Sequence, residues 1–451
     1  MRYAKLTKDW LLRGWSDEPR TIINWTNGDC RSLSEQAFFV AQACDGLTDF
    51  HSIDVLPQHN DLLDKMIKRG MVEECAQGDT PAAYQLYRRA DNPYVKSIHW
   101  AVTGLCNLKC RHCFMECPEG RYGELPLKDI LGMIVQFVRA NVHQVELTGG
   151  EPFLRQDLPE IMSALRDNHI AVSQIYSNGL LITDDILGKI KEFGFLPHFQ
   201  ISFDGCGTHD GMRGLRGIEQ ATVQAIRRLR AHGFPVTIAT SVDRTNIGAL
   251  PETYALMKQL DIKSWRVGSP QKIGDWRRTA TALSLEELMT ASAPIAARWL
   301  QDGKPFSLQL ASFTKAWKTN NQEMFTPGSY DCTACRVETS VLPDGTVIPC
   351  PGFTDTVSYA EMPNLLNESF SKIWSQSTLR SIIDLKKSDI LATVSECATC
   401  EQFKICGTGC RAAAVMVNGE LRSKDPDSCE IYKKNYLQRF QKLTVSLVDQ
   451  V

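Results

Sequence analysis

Four cysteines fall within the stretch AVTGLCNLKCRHCFMECP: Cys106, Cys110, Cys113 and Cys117. Eight more crowd the C-terminal part, Cys332, Cys335, Cys350, Cys397, Cys400, Cys406, Cys410 and Cys429. Cysteine at such density serves disulfides or metal. Disulfide scaffolds are normally short and secreted. This chain has 451 residues, and its start, MRYAKLTKDWLLRGW, is not a basic region followed by an apolar core and a small-residue cleavage site. Reduced thiols holding metal, in a cytoplasmic protein, are the expectation. The spacing C-x3-C-x2-C of Cys106, Cys110 and Cys113 is one ligand short of a closed tetrahedral zinc site, which would have to recruit Cys117 or His112. An iron–sulfur cubane on the same three thiolates keeps one iron open for a ligand.

The elements that must position these thiols show in the hydrophobic pattern. From 95 to 305, strand-like runs (VKSIHWAVT, QVELT, AVSQIYS, HFQISF, VTIATSV, SWRVG) alternate with amphipathic helical runs. Six such units predict an α/β fold with a parallel sheet and helical crossovers. Loops after the strands then carry the chemistry, and the first cysteine group follows the first strand. Residues 1–92 read as a strand, short helices and a closing hairpin, in the order of a small winged-helix-like module. Residues 306–451 hold the eight-cysteine region, with little apolar periodicity and a need for metal to stabilise it. A net charge of −2 gives no electrostatic case for nucleic acid or anionic membrane, and no apolar run approaches a membrane span.

Residues 95–430 resemble the radical S-adenosylmethionine (SAM) superfamily, whose signature is C-x3-C-x-aromatic-C after the first strand, with His112 in the aromatic slot. The resemblance implies a partial, TIM-like (β/α)6 barrel and a SAM-binding 4Fe–4S cluster on Cys106, Cys110 and Cys113, with Cys117 a bystander. It also implies SAM contacts from Gly149, Gly150 and Glu151 after the second strand, and from Ser177 and Asn178 after the third. Ser202, Asp204 and Arg213 would follow from the fourth, and Val242 and Val267 would lie against adenine. The C-terminal spacing, C-x9-G-x4-C and then C-x2-C-x5-C-x3-C with a final cysteine, resembles the SPASM extension. That implies two auxiliary 4Fe–4S clusters with crossed ligation, one on Cys332, Cys335, Cys350 and Cys410, the other on Cys397, Cys400, Cys406 and Cys429.

Enzymes of the SPASM type mostly modify peptides. The sulfatase-maturing branch has Asp after the cysteine matching Cys350, where this chain has Pro351, and it lacks an N-terminal module. The N-terminal module resembles the leader-recognition element of ribosomal peptide maturases, which binds a leader as an added strand. Its alternative is a DNA-binding winged helix, against which stands the lack of a dense basic run. The reading is a peptide maturase that forms thioether crosslinks, as sactipeptide and ranthipeptide synthases do. Its partners would be a precursor peptide and an external electron donor such as a flavodoxin or ferredoxin. Carbon–carbon or carbon–oxygen crosslinking and epimerisation are alternatives within the class, and an iron–sulfur electron carrier or binding protein is the alternative outside it. No residue stands out as the catalytic base.

Overall fold

The computed structural model describes residues 1–449 except 53–55, 118–119, 272, 315–323, 333, 355 and 357–358; the side chains of 278, 334 and 335 also lie outside the description. The main sheet begins with β7 (Ser97–Ala101), whose Ile98 and Trp100 pack on the amphipathic α3 (Leu127–Arg139) through Ile130, Met133, Ile134 and Phe137. The alternation repeats through β8 (Gln144–Thr148), α4 (Leu158–Asp167), β9 (Ala171–Ser177), α5 (Asp184–Glu192) and β10 (His198–Ser202). It continues through the short α6 (His209–Arg213), α7 (Ile218–Ala231), β11 (Val236–Ser241), α8 (Leu250–Gln259), β12 (Ser264–Gly268), α9 (Leu285–Gln301) and β13 (Ser307–Leu310). Neighbours in the sheet are neighbours in the chain and all pair in parallel, from β7 to β13. A sheet wound in one direction gathers every βα loop at one end. The sixfold count from the sequence is therefore one strand short: the run SLQL forms a seventh, pairing with β12. Its four residues are too brief to give a periodic signal.

The cysteine-rich region is not confined to loops. Its β14 (Glu338–Val341) adds in parallel beside β7, and β15 (Val347–Ile348) closes an antiparallel turn on β14. The sheet is thus mixed and open, with β13 at one edge and β15 at the other. The last helix, Tyr436–Val448, sends Tyr436, Leu437 and Phe440 into the main core.

In the N-terminal module, β1 (Tyr3–Leu6) pairs antiparallel with β5 (Val72–Cys75). A second sheet holds β2 (Trp10–Gly14), β3 (Thr21–Asn24), β4 (Cys30–Ser32) and β6 (Arg88–Arg89), in the order β4-β3-β2-β6. Helices α1 (Glu35–Ala43) and α2 (Pro57–Lys68) lie between them in sequence, with Val40, Leu63 and Met66 buried against Ala4 and Leu6. The expected closing hairpin does not form: β5 returns to β1, and β6 runs parallel to β2. Short strands choose partners by tertiary contact rather than by adjacency. The module docks on residues that precede β8 and β9. Trp15 Nε1 donates to the Ala140 carbonyl at 2.9 Å, Asn141 Nδ2 to the Gly14 carbonyl at 2.9 Å, and Tyr84 stacks on His169 at 3.7 Å. These lie at the N-terminal ends of the strands, opposite the cysteine loop.

Candidate active site

The chain leaving β7 carries Cys106, Cys110 and Cys113 on an irregular loop held by its neighbours. Gly150 N donates to the Thr103 carbonyl at 2.8 Å and Glu151 N to the Leu105 carbonyl at 2.9 Å. Arg111 N donates to the Met212 carbonyl at 3.0 Å, and Asp275 N to that of Cys113 at 3.0 Å. Loops after β8, β10 and β12 thus grip the cysteine loop. The double glycine has a concrete use here, because a Cβ on Gly150 would meet the Leu105 oxygen at 2.1 Å and one on Gly149 the Thr103 oxygen at 2.4 Å.

A cavity of about 340 Å³ opens at this end of the sheet. Its wall includes Cys106, Cys110, Cys113, His112, Gly149, Gly150, Ser177, Asn178, Ser202 and Arg213. Asn178 Nδ2 donates to Asn107 Oδ1 at 2.8 Å, tying the third loop to the cysteines. Glu151 and Asp204 stand behind the wall rather than on it, both fully buried. Glu151 accepts from Ser177 Oγ at 2.9 Å and from Asn178 N at 2.8 Å. Burial pushes its carboxyl up to about 7, the donors opposing. Asp204 accepts from Ser241 N at 2.9 Å and pairs with Arg213 Nε at 2.7 Å. Arg213 in turn points Nη1 at Cys110 Sγ, 3.6 Å away. Both acids position neighbours that do face the cavity. Val242 and Val267, expected against adenine, lie in the apolar core, and Ala239 and Ser241 stand on the wall instead. In-out alternation along a strand decides this, and a one-residue misjudgement reverses it.

Sequence reasoning missed the floor. His99, Tyr176 and Gln200 project into the cavity from the middles of β7, β9 and β10, with Tyr176 donating to Glu146 Oε2 at 2.7 Å. The signal was present as polar residues inside strands whose other face is apolar. Cys117, read as a bystander, is buried against Cys106 and Cys113, and its thiol donates to the Gly104 carbonyl at 3.1 Å. Its N–H donates to Cys113 Sγ at 3.3 Å.

In the C-terminal region Cys397, Cys400, Cys406 and Cys429 ring one small cavity. Cys332, Cys350 and Cys410 share a second, of about 310 Å³, which Cys406 also touches; the Cys335 side chain lies outside the described residues. Residues 407–409 are all left-handed, with φ of 60°, 72° and 81°, and a Cβ on Gly409 would strike Asp425 at 2.5 Å. That turn carries Cys410 away from the first cavity, which Cys406 lines. Among the described residues no group of three or more His, Cys, Asp or Glu converges as ligands of a single ion would; the thiols surround volumes. Pro351, next to Cys350, lines the main cavity, so the two cysteine regions meet there.

Residues 100–257 match the sequence profile described as the radical SAM superfamily, and 332–401 match that of an iron–sulfur cluster-binding domain, SPASM. The chain thus carries a radical SAM domain followed by a SPASM domain. Among curated relatives of this radical SAM protein, an AdoMet-dependent heme synthase of Methanosarcina barkeri is 28% identical over 350 residues, 73% of this chain and 95% of that protein. A PqqA peptide cyclase of Gluconobacter oxydans is 27% identical over 331 residues, 72% of this chain and 88% of that protein. The crystal structure of Streptococcus suis SuiB bound to S-adenosylmethionine superposes with a TM-score of 0.66 at 16% identity, covering 94% of this chain and all of that one, and so shares its fold.

The residues present fit the groups that these two domains imply. His112 Nδ1 is buried at the cavity without a hydrogen-bond partner, open to a ligand. Burial lowers His112 to about 4, so the ring is neutral. Beside it, the side-chain-free Gly149–Gly150 edge leaves backbone accessible. Soft thiolates from several loops around each volume suit iron–sulfur clusters.

Proposed function

We propose that this radical SAM enzyme matures a ribosomally made precursor peptide, joining a cysteine sulfur to a carbon of an acceptor residue as a thioether. When bound, SAM and the cluster on Cys106, Cys110 and Cys113 supply a 5′-deoxyadenosyl radical, and two further 4Fe–4S clusters supply an acceptor for the electron left over when sulfur bonds carbon. Cys332, Cys335, Cys350 and Cys410 hold one of these, and Cys397, Cys400, Cys406 and Cys429 the other. The observation that carries the reading is Pro351 on the main cavity wall, one residue from Cys350. It puts a redox-capable site beside the place where substrate would react, which a net two-electron oxidation needs and a simple rearrangement does not. Proline there offers no carboxylate to take a proton, in contrast with the formylglycine-forming branch.

The remaining residues bind and orient. Gly149, Gly150, Ser177, Asn178 and Ser202 present backbone and polar side chains to SAM, with Glu151 and Asp204 holding that wall in register. Residues 93–305 form the partial barrel and 306–451 the SPASM domain. Residues 1–92, with two helices between paired strands, act as a winged-helix-like leader-recognition module. Support comes from SuiB, crystallised with its precursor peptide SuiA, whose superposition takes in 95% of this chain. A second reading, as a heme synthase, draws on that relative, whose match leaves over a quarter of this chain unaccounted for, as the peptide cyclase's does. No helix among the described residues is long and apolar enough to cross a membrane, and the reading places the enzyme in the cytoplasm, where its thiols stay reduced.

The test is anaerobic reconstitution with SAM, a reductant and the neighbouring precursor peptide. The expected products are 5′-deoxyadenosine and a peptide lighter by two hydrogens per crosslink. 5′-Deoxyadenosine with an unchanged peptide mass would replace crosslinking with epimerisation; none at all would sink the enzyme reading.

A further inference from the structure

Three charged side chains are buried together in the wall of the cavity shared by Cys332, Cys350 and Cys410: Asp331, Lys387 and Arg411, each no more than 3% exposed at the side chain. Arg411 Nε lies 2.8 Å from Asp331 Oδ2, and Lys387 Nζ lies 3.4 Å from Oδ1. Lys387 also donates to the carbonyls of Asp331, at 3.0 Å, and Gly407, and sits 4.5 Å over the Phe325 ring. Thr408 Oγ1 donates to Asp331 Oδ1 at 2.8 Å. One carboxylate faces two cations, leaving a net charge of +1. Asp331 precedes Cys332, Arg411 follows Cys410, and Gly407 follows Cys406, so the group is threaded through the cysteine ligands themselves.

The other cysteine site differs. Its cavity is lined by one buried carboxylate, Asp425, which accepts from the Cys410 N–H at 2.8 Å, and by Lys424 and Lys433, which pair with Glu396 at the surface, each 42–45% exposed. Water and salt screen such charges, whereas a buried charge acts through a medium of low dielectric constant. Charge and exposure near a cluster set its reduction potential, and a nearby positive charge favours the reduced, more negative state.

We infer that the Lys387–Asp331–Arg411 group raises the reduction potential of the centre at Cys332, Cys350 and Cys410 above that of its neighbour, making it the stronger electron acceptor of the two. This rests on the reading that those cysteines hold a redox-active iron–sulfur cluster. Lys387 and Asp331 act through the centre's electrostatics and are not catalytic residues.

Redox titration of the holoenzyme, followed by electron paramagnetic resonance, tests this with Lys387→Met, Lys387→Arg and Asp331→Asn. Lys387→Met lowers one C-terminal potential, shifting the oxidised-to-reduced ratio at the wild-type midpoint about tenfold, which is 59 mV for one electron. Asp331→Asn moves the same signal the opposite way, and Lys387→Arg leaves it near wild type. Opposite signs from two touching residues cannot come from loosened packing. Unmoved potentials, or shifts of one sign, with iron fully retained overturn the inference alone. Should Lys387→Met lose iron, the Asp331→Asn direction decides: a raised potential supports the inference, an unchanged or lowered one overturns it. Zinc rather than iron at these cysteines in the wild type overturns the cluster reading itself, and this inference with it.

Discussion

The loop of Cys106, Cys110 and Cys113 is held from outside, by backbone hydrogen bonds from three neighbouring loops whose strands and helices pack a large apolar core. The Cys397–Cys429 segment is held differently. Its helices Ser395–Ala398 and Phe403–Cys406 bury no residue, and polar clamps hold them beside a helix that does, Arg411–Asn418, with Ala412, Ala414 and Val415 buried. Asp425 accepts from Cys410 N at 2.8 Å, and Arg411 donates to the carbonyls of Thr408, Leu421 and Ser423. The first region can form its shape before any cofactor arrives. The second has its thiols, these clamps and a small apolar patch around Ala412 and Val415 to order it. On the proposed reading, metal would enter a loop already formed in the one and would serve as the structural core of the other.

The largest expected difference is in what single cysteines do. Cys110→Ala abolishes 5′-deoxyadenosine formation and removes about a third of the iron, if each region loads clusters as read, while C-terminal proteolytic resistance stays. Cys397→Ala exposes the C-terminal segment to protease, and equal resistance in both variants would erase the contrast. Iron chelation under oxidising conditions sharpens it next. Amide exchange should accelerate across residues 395–430 and stay slow in β7 to β12, since structural metal sites contribute folding energy outright.

Glu151 offers a pH test confined to the first region. Its folded pKa of about 7 stands above the ordinary value of 4.5. The unfolded chain therefore releases its proton first, and stability falls as pH rises from about 4.5 to about 7, by on the order of 3 kcal/mol, then levels. In Glu151→Gln that slope disappears from denaturant unfolding curves; a slope of the same size in the variant would assign it elsewhere. Gly150→Ala drives a methyl into the Leu105 carbonyl and should cost about 1–3 kcal/mol, read as a lowered thermal midpoint with weakened SAM binding; an unaltered midpoint would show that the loop yields. Smallest of all, Cys117→Ser keeps a donor to Gly104 and should change stability by less than about 1 kcal/mol with full iron content. Loss of iron in that variant would make Cys117 part of the site.

Much of this contrast was legible in the chain. The alternation of apolar strands and amphipathic helices marks six of the seven strands from β7 to β13, because burying one face imposes a period that survives in sequence. The three-cysteine spacing and the double glycine after β8 are local, so they too can be read directly. Strand partners were not legible in short segments: nothing in WLLRG or YRR says that β6 joins β2, or that β14 crosses back to lie beside β7.

The sequence by itself determined the thiols, their grouping and the order of loops bearing polar residues, since each follows from composition and local period. Only the tertiary structure decided which side chains face the cavity. It put Glu151 and Asp204 behind the wall and Val242 and Val267 in the core, and it brought His99, Tyr176 and Gln200 onto the floor. It alone joined Asp331, Lys387 and Arg411, from positions far apart in the chain. A side chain's facing depends on strand phase and sheet neighbours, and a buried charge is tolerated only where distant partners meet it.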